Sequence, residues 1–297
     1  MKKSTAVFGV ATALMAGVYL LGCVFLWSLQ GQFIFRPSRD IIRTPADVGL
    51  AYENVFIPVA GGSGAGERVH AWWIPSVTAA GPALIYLHGN ALNIGANVEH
   101  AKRFHGLGLS VLLLSYRGYG RSDGDHPSET KVYQDAEAAW GYLVGKRRLA
   151  PDNILIYGHS LGGAVAIELA VRHPEARGLI VESTFTSIGD MAARSGALRI
   201  FPLDLILTQS FDSLSKVGRL RLPVLFLHGT DDNVVPPEMS RRLYERTLAP
   251  KRLQFIAGGE HNNSAQIGGT AYVRAISEFL ETIAAGDRPT GRREKPS

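Results

Sequence analysis

Ser160 stands in a G-x-S-x-G pattern at residues 158–162, between an apolar run over residues 154–157 and a second one that continues to Ala170. A short apolar strand, this turn and a helix are typical of a nucleophile elbow, which exposes a serine hydroxyl on a strained turn. Glycines on both sides let strand and helix approach closely, and the helix N-terminus favours developing negative charge. The pattern predicts a nucleophilic serine. The alternative is a glycine-rich turn with an incidental serine.

A serine hydroxyl is a weak nucleophile until a base accepts its proton and an acid holds that base in the correct tautomer. Behind a nucleophile elbow, the acid and then the histidine follow the serine along the chain. Asp232 follows an apolar run that ends at Leu227, and His261 follows an apolar run that ends at Ile256. The order and the position of each residue at a strand end predict a triad of Ser160, Asp232 and His261.

Two other carboxylates compete with Asp232 for the role of the acid. Asp231 is its neighbour and is suited to capping the turn, while Glu182 ends the strand after the elbow helix, from where an acid also reaches the histidine. Asp232 is the preferred acid, and the other two stay open.

Acyl transfer through a tetrahedral intermediate needs hydrogen-bond donors aimed at its oxyanion. The backbone N–H of Leu161, next to the nucleophile, is one candidate, and the N–H of Asn90 in the loop after the strand at residues 83–87 is the other. No G-x-G-x-x-G opens a helix after the first strand, so we expect no nucleotide and no other cofactor. No metal is expected either, because five further histidines fit no metal-ligand spacing such as H-E-x-x-H: His70, His100, His105, His126 and His173.

Apolar runs that alternate with helical segments must position these residues. Eight runs are predicted as strands, at residues 55–58, 69–75, 83–87, 110–114, 154–157, 179–182, 223–227 and 252–256. The alternation predicts an α/β fold with a mostly parallel eight-stranded sheet and helices on both faces. The first two strands are expected to form an antiparallel edge hairpin. Sites in such sheets lie beyond the carboxyl ends of the strands, where residues 88–90, Ser160, Asp231, Asp232 and His261 fall.

Five helices are predicted after these strands: one that follows residues 88–90 and ends at about Leu107, and others from Pro127 to about Lys146, over residues 163–170, over residues 237–247 and over residues 272–283. The segment 183–222 is predicted to be mainly helical and loop-like and to form a small lid.

The 297 residues are 46% apolar, enough for one large domain. We expect an anchor at residues 1–35, a linker at 36–52, the domain at 53–285 and a disordered basic tail at 286–297. The formal charge of +5 lies at the two ends of the chain, which leaves residues 53–285 without net charge. A neutral domain lacks the basic surface that nucleic acid requires, so we expect no nucleic-acid partner.

Residues 6–29 contain no charged side chain and are long enough to cross a bilayer, which takes about 20 apolar residues. We predict a single transmembrane helix. A cleaved signal peptide is the alternative, but its apolar core of about 7–15 residues is shorter than this run, which extends through Trp27. Cys23 is the only cysteine and lies within the apolar run, so the domain contains no disulfide.

The orientation of this helix is set by competing basic residues. Lys2 and Lys3 precede the apolar run, and Arg36, Arg39 and Arg43 follow it. Their count under the positive-inside rule does not decide between the two orientations. We expect the N-terminus inside and the domain on the non-cytoplasmic side.

These residues resemble the α/β-hydrolase superfamily over residues 53–285. The motifs at 86–91, 116–120, 182–187 and 259–263, with the N-terminal anchor, look like a membrane-anchored branch that includes bud-emergence-related and hydrolase domain-containing proteins. The resemblance implies a serine hydrolase that acts on esters, with acyl-lipid, thioester and peptidase activities among relatives. It puts the catalytic roles on Ser160, Asp232 and His261 and the oxyanion hole on Asn90 and Leu161. His159 departs from the branch, which often has Arg or Gln there.

Together these observations predict a membrane-anchored serine hydrolase that cleaves ester or thioester bonds of small-molecule or lipid-derived substrates through an acyl-enzyme. Two alternatives stay open. A peptidase would use the same triad with a different pocket, and a non-catalytic membrane scaffold would have a broken triad. The substrate's identity and the oligomeric state do not follow from the sequence.

Overall fold

Eight strands form the central sheet of the computed structural model, which describes residues 2–60, 66–78 and 81–286. In chain order they are β1 (Glu53–Pro58), β2 (Arg68–Ile74), β3 (Ala83–Leu87), β4 (Ser110–Ser115), β5 (Ile154–His159), β6 (Gly178–Glu182), β7 (Val224–Gly229) and β8 (Lys251–Ile256). Their spatial order is β1-β2-β4-β3-β5-β6-β7-β8. Strand β2 is antiparallel to β1 and β4, and the other neighbours are parallel. The mostly parallel sheet with an edge hairpin is confirmed.

Helices cover both faces of this sheet, as predicted. The α-helices of the described residues are α1 (Lys2–Ile34), α2 (Val98–Gly106), α3 (Glu129–Gly141), α4 (Leu161–Arg172), α5 (Ile188–Ala193), α6 (Leu203–Ile206), α7 (Ser213–Val217), α8 (Pro237–Arg246) and α9 (Ser264–Gly286). Helices α2 and α9 pack on one face with Leu155 and Tyr157 of β5, while α3, α4 and α8 pack on the other with Ile154 and Ile156. Strand β5 is therefore buried on both sides.

Several helix boundaries differ from the prediction, and the starts of two helices differ for a visible reason. Helix α3 begins at Glu129 rather than at Pro127, because the Ser128 side chain accepts a hydrogen bond from the Lys131 N–H and caps the helix. The last helix begins eight residues before the predicted start at residue 272. A non-helical glycine, Gly269 with φ of 44°, divides it, and the sequence prediction found only the part after that break.

Helix α1 contains the segment Phe8–Ile34, with a mean hydropathy of 2.1, which is long and apolar enough to cross a membrane. The chain after it lies against the domain. Residues Arg36–Pro37 pair in parallel with Ala91–Leu92, and the side chains of Val48 and Leu50 are buried. The segment expected as a linker is thus packed onto the domain. The predicted tail lies outside the described residues beyond position 286.

Candidate active site

The turn between β5 and α4 holds Ser160 in a strained backbone conformation, with φ of 54° and ψ of −121°. A positive φ is rare for a residue other than glycine and is typical of functional sites. A Cβ atom at Gly158 would overlap the carbonyl group of Gly162, and one at Gly162 would overlap the carbonyl oxygen of Leu87. Both glycines are therefore required for the close approach of strand and helix that creates the turn.

Ser160, His261 and Asp232 form one chain of hydrogen bonds. The Ser160 hydroxyl donates to His261 Nε2 at 3.0 Å, and His261 Nδ1–H donates to Asp232 Oδ2 at 2.7 Å. A carboxylate only accepts hydrogen bonds, so the proton lies on Nδ1 and the free lone pair on Nε2 faces the serine. The three residues are 8%, 9% and 5% exposed, respectively. The structure brings together all three members of the predicted triad.

The carboxylate of Asp232 is held by four neighbouring groups. Its Oδ1 accepts hydrogen bonds from the N–H groups of Val234 and Val235, at 2.9 and 2.8 Å. Its Oδ2 contacts His261 and lies 3.2 Å from His228 Nε2. Burial alone would raise the pKa of Asp232, but the bonds with His228 and His261 hold that pKa well below its ordinary value. The carboxylate consequently stays ionised beside His261 at neutral pH.

The other two candidate acids have different partners. Asp231 is exposed and accepts a hydrogen bond from the Thr230 hydroxyl at 2.7 Å. Glu182 is buried, and its Oε2 accepts hydrogen bonds from the hydroxyls of Tyr157 and Tyr272, both at 2.6 Å. Of the three candidates, Asp232 is the one in contact with His261.

Both predicted oxyanion donors line the same cavity as the serine. Leu161 is the first residue of α4, where an N–H has no acceptor within the helix. The Asn90 carbonyl accepts from the Arg36 N–H at 2.9 Å and the Tyr119 hydroxyl at 2.6 Å, and its side chain donates to the Ile34 carbonyl at 2.8 Å. These contacts fix the loop and leave the Asn90 N–H without an acceptor in the described part of the chain.

The cavity beside Ser160 has a volume of about 810 Å³ and is mainly apolar. One side is formed by α1 through Leu26, Gln30, Phe33 and Ile34, and segment 185–207 contributes another. Among the described residues the lining contains no Asp, Glu, Lys or Arg. That part of the chain also contains no group of three His, Cys, Asp or Glu side chains placed to hold a metal ion. The arrangement suits an uncharged, largely apolar molecule.

Two histidines that support this arrangement were not assigned such a role from the sequence. His228 contacts Asp232 and stands four residues before it, near the end of β7. Its position in the sequence could therefore have indicated this contact. His159 Nε2–H donates to the His261 carbonyl at 2.8 Å, and burial lowers the pKa of His159 to about 4. The neutral ring thereby fixes the loop that carries His261. Its adjacency to Ser160 was visible in the sequence, but its partner was not.

Known proteins resemble this chain over most of its length. The family described as serine aminopeptidase, S33, matches residues 79–209 and 203–264. An uncharacterized protein of Mycobacterium tuberculosis is 34% identical over 288 residues, covering 96% of this chain and 98% of its own. The α/β hydrolase domain-containing protein WAV2 of Arabidopsis thaliana is 32% identical, covering 93% and 96%. Protein bem46 of Schizosaccharomyces pombe is 30% identical, covering 89% of each chain.

Solved structures share the fold. An esterase of Pyrococcus furiosus superposes with a TM-score of 0.68 at 20% identity, covering 84% of this chain and 98% of its own. A Butyrivibrio proteoclasticus protein, Est1E, solved with ferulic acid, superposes with a TM-score of 0.63 at 19% identity, covering 78% and 99%. At these identities the likeness concerns the architecture.

Proposed function

The chain belongs to the α/β-hydrolase superfamily, in the serine aminopeptidase S33 family, and on this premise we propose that it is a membrane-anchored serine hydrolase that cleaves ester or thioester bonds of acyl or lipid-like substrates. The observation that carries the proposal is the hydrogen-bond chain from Asp232 through His261 to Ser160, which ends in an apolar cavity.

The first half of the proposed reaction acylates Ser160. His261 Nε2 takes the hydroxyl proton while the serine oxygen forms a bond to the substrate's carbonyl carbon. The carbonyl π electrons move to its oxygen, and the oxyanion accepts hydrogen bonds from the N–H groups of Leu161 and Asn90. When the intermediate collapses, the bond to the leaving group breaks. The proton on Nε2 passes to the departing alcohol or thiol, and the acyl group stays on Ser160.

The second half returns the enzyme to its starting state. His261 Nε2 takes a proton from water, whose oxygen attacks the acyl carbon, and then delivers that proton to the Ser160 oxygen as the acid is released. Ionised Asp232 stabilises the charged imidazole during both halves. The chemistry requires no cofactor.

An aminopeptidase is the alternative suggested by the family's description. Such an enzyme must hold the positively charged amine of its substrate, for which a carboxylate is the usual partner. The cavity lining holds no Asp or Glu among the described residues. This favours an ester or thioester over a peptide with a free amino terminus.

A membrane location is part of the proposal, with α1 as a single-pass anchor and the domain on the non-cytoplasmic side. The contacts of α1 support an uncleaved helix. Cleavage as a signal peptide would remove Leu26 and Gln30 from the cavity wall and the Ile34 carbonyl from its bond with Asn90. The resulting enzyme would lack one wall of its own cavity.

Labelling of the full chain in detergent micelles with a fluorophosphonate probe tests the proposed chemistry. Wild type is expected to be labelled and to hydrolyse p-nitrophenyl esters, while Ser160→Ala and His261→Ala lose both activities. Release of p-nitroaniline from aminoacyl p-nitroanilides at a rate above that of ester hydrolysis would favour the aminopeptidase instead. A folded wild type that neither labels nor hydrolyses any ester would refute the proposal in favour of a non-catalytic scaffold.

A further inference from the structure

One face of α1 is turned toward the domain. Gly22, Leu26, Gln30 and Ile34 recur every four residues, so they lie along one side of the helix. Leu26, Gln30 and Ile34 line the cavity that contains Ser160, and Gly22 lies against the ring of Phe201. The last turns of α1 are therefore a wall of the cavity.

Gln30 fastens this wall to the segment opposite. It is 7% exposed, and its amide group donates to the Ile206 carbonyl at 3.2 Å and accepts from the N–H of Thr208 at 2.8 Å and of Gln209 at 3.2 Å. A polar side chain in so apolar a helix is costly unless its hydrogen bonds are satisfied. These bonds fix residues 206–209 against α1 and close that side of the cavity.

The segment 196–207 also follows α1 toward its N-terminus. The Tyr19 hydroxyl donates to the Ile200 carbonyl at 2.9 Å, and the rings of Tyr19 and Phe201 stack at 5.5 Å. Tyr19 precedes Ile34 by fifteen residues, which is about 22 Å along a helix. This contact therefore lies well inside the apolar span Phe8–Ile34.

The outer surface of that segment is apolar. Ile200 is 67% exposed and Leu205 is 84% exposed, and both stand in the stretch that accompanies α1. The surface of α1 is also apolar, and Val24 and Phe25 are exposed on it. Exposed apolar surface that continues from a membrane-spanning helix indicates contact with lipid.

From these contacts we propose that the inner face of α1 and the cavity-lining residues of the segment 196–207, which are Leu198, Leu203, Ile206 and Leu207, together form the binding site for the substrate's acyl chain. The acyl chain of an ester that lies in the membrane reaches Ser160 directly from the bilayer, between α1 and the segment 196–207. This inference rests on the proposed function and adds a substrate class, esters with a long acyl chain held in the membrane. It also assigns α1 a role in substrate binding besides anchoring.

Two matched pairs of tryptophan substitutions test the site in the full chain. Leu26→Trp and Leu203→Trp fill the cavity from its two sides, while Phe25→Trp and Leu205→Trp place the same ring at exposed positions nearby that do not line it. The readout is kcat/KM for p-nitrophenyl palmitate and p-nitrophenyl butyrate, with the enzyme in lipid vesicles. Fluorophosphonate labelling checks that Ser160 remains active.

The two cavity variants are expected to lose at least about tenfold in kcat/KM for palmitate relative to butyrate, and the two exposed variants are expected to keep the wild-type ratio. Leu26→Ala cannot block the site and serves as a second variant, expected to raise KM for palmitate alone. An unchanged palmitate-to-butyrate ratio in both cavity variants and in Leu26→Ala would overturn the acyl-chain site while leaving the hydrolase intact. A wild type without labelling or ester hydrolysis would overturn the proposed function and this inference together.

Discussion

Asp231 and Asp232 are neighbours in the chain with opposite surroundings. One side chain is exposed beside Thr230, and the other is buried against His261. The proposed mechanism needs the second carboxylate to hold the Nδ1–H tautomer. Because an asparagine at 232 would also support the wrong tautomer, Asp232→Asn is expected to lower kcat by about 10³ to 10⁴. Asp231→Asn is expected to keep the wild-type rate.

Initial rates of p-nitrophenyl butyrate hydrolysis by the two variants test this prediction. Fluorophosphonate labelling of both variants is measured under the same conditions. Both substitutions remove one carboxylate charge at almost the same place, so a general electrostatic effect would lower the two rates alike. That outcome, or a loss confined to Asp231→Asn, would exclude Asp232 as the acid.

At the residue scale, the sequence predicted which side chains could react but only part of what surrounds them. Ser160, Asp232 and His261 could be selected because each follows an apolar strand, and parallel strands end at one edge of the sheet. The contact of His228 with Asp232 spans four residues and was open to prediction, whereas the contact of His159 with the His261 carbonyl depends on the register between strands that are far apart in the chain. No local pattern encodes that register. The catalytic roles themselves stay predictions until they are measured.

At the element scale, the strands and most helices could be predicted because apolar runs alternate with amphipathic segments. The packing of α1 could not. A helix that is apolar on every side gives no periodic signal to separate the face toward lipid from the face toward protein. Gln30 lies on the inner face, but Ser28 and Gln32 beside it are also polar, and the partners of Gln30 at residues 206–209 are distant in sequence.

The orientation of α1 can be measured with one introduced cysteine. Glu245 is exposed on α8, and Cys23 is the only native cysteine. In a Cys23→Ser background, Glu245→Cys is expected to react with a membrane-impermeant maleimide in intact cells, because the domain is proposed to face the non-cytoplasmic side. Cys23→Ser alone is the control without a thiol. Labelling only after permeabilisation would place the domain in the cytoplasm.

At the scale of the whole molecule, buried histidines make stability depend on pH. Burial lowers the pKa of His70, His88 and His159 to about 4 each and also lowers that of His100, from an ordinary value of 6.5. Between pH 4 and 6.5 the unfolded chain therefore binds more protons at these sites, and the free energy of unfolding falls as the pH is lowered. Burial raises the pKa of Asp135 to about 6, which acts in the opposite direction at one site against four.

We expect the free energy of unfolding of the full chain in detergent, measured by urea titration, to fall steadily from pH 7 to pH 5, by up to about 1.4 kcal/mol per pH unit for each net proton. His70→Phe is expected to reduce this slope, because it removes one of these buried histidines. The fold is expected to tolerate the change, since Asn54 keeps its hydrogen bond from Trp72 when the imidazole is removed. His126→Phe, at an exposed position, is expected to leave the slope unchanged. A free energy of unfolding that stays constant or rises as the pH is lowered would contradict a net uptake of protons on unfolding.

The bonds that join Ile34 and Arg36 to Asn90 bear on how this protein can be engineered. In many membrane-bound enzymes the anchor and the domain are interchangeable modules, and a soluble version is made by cutting between them. Here a cut near residue 35 would fall among the hydrogen bonds that hold this segment to Asn90, and it would remove one wall of the cavity. A fusion to an unrelated transmembrane helix would return the domain to a membrane but would not rebuild the cavity wall that α1 forms.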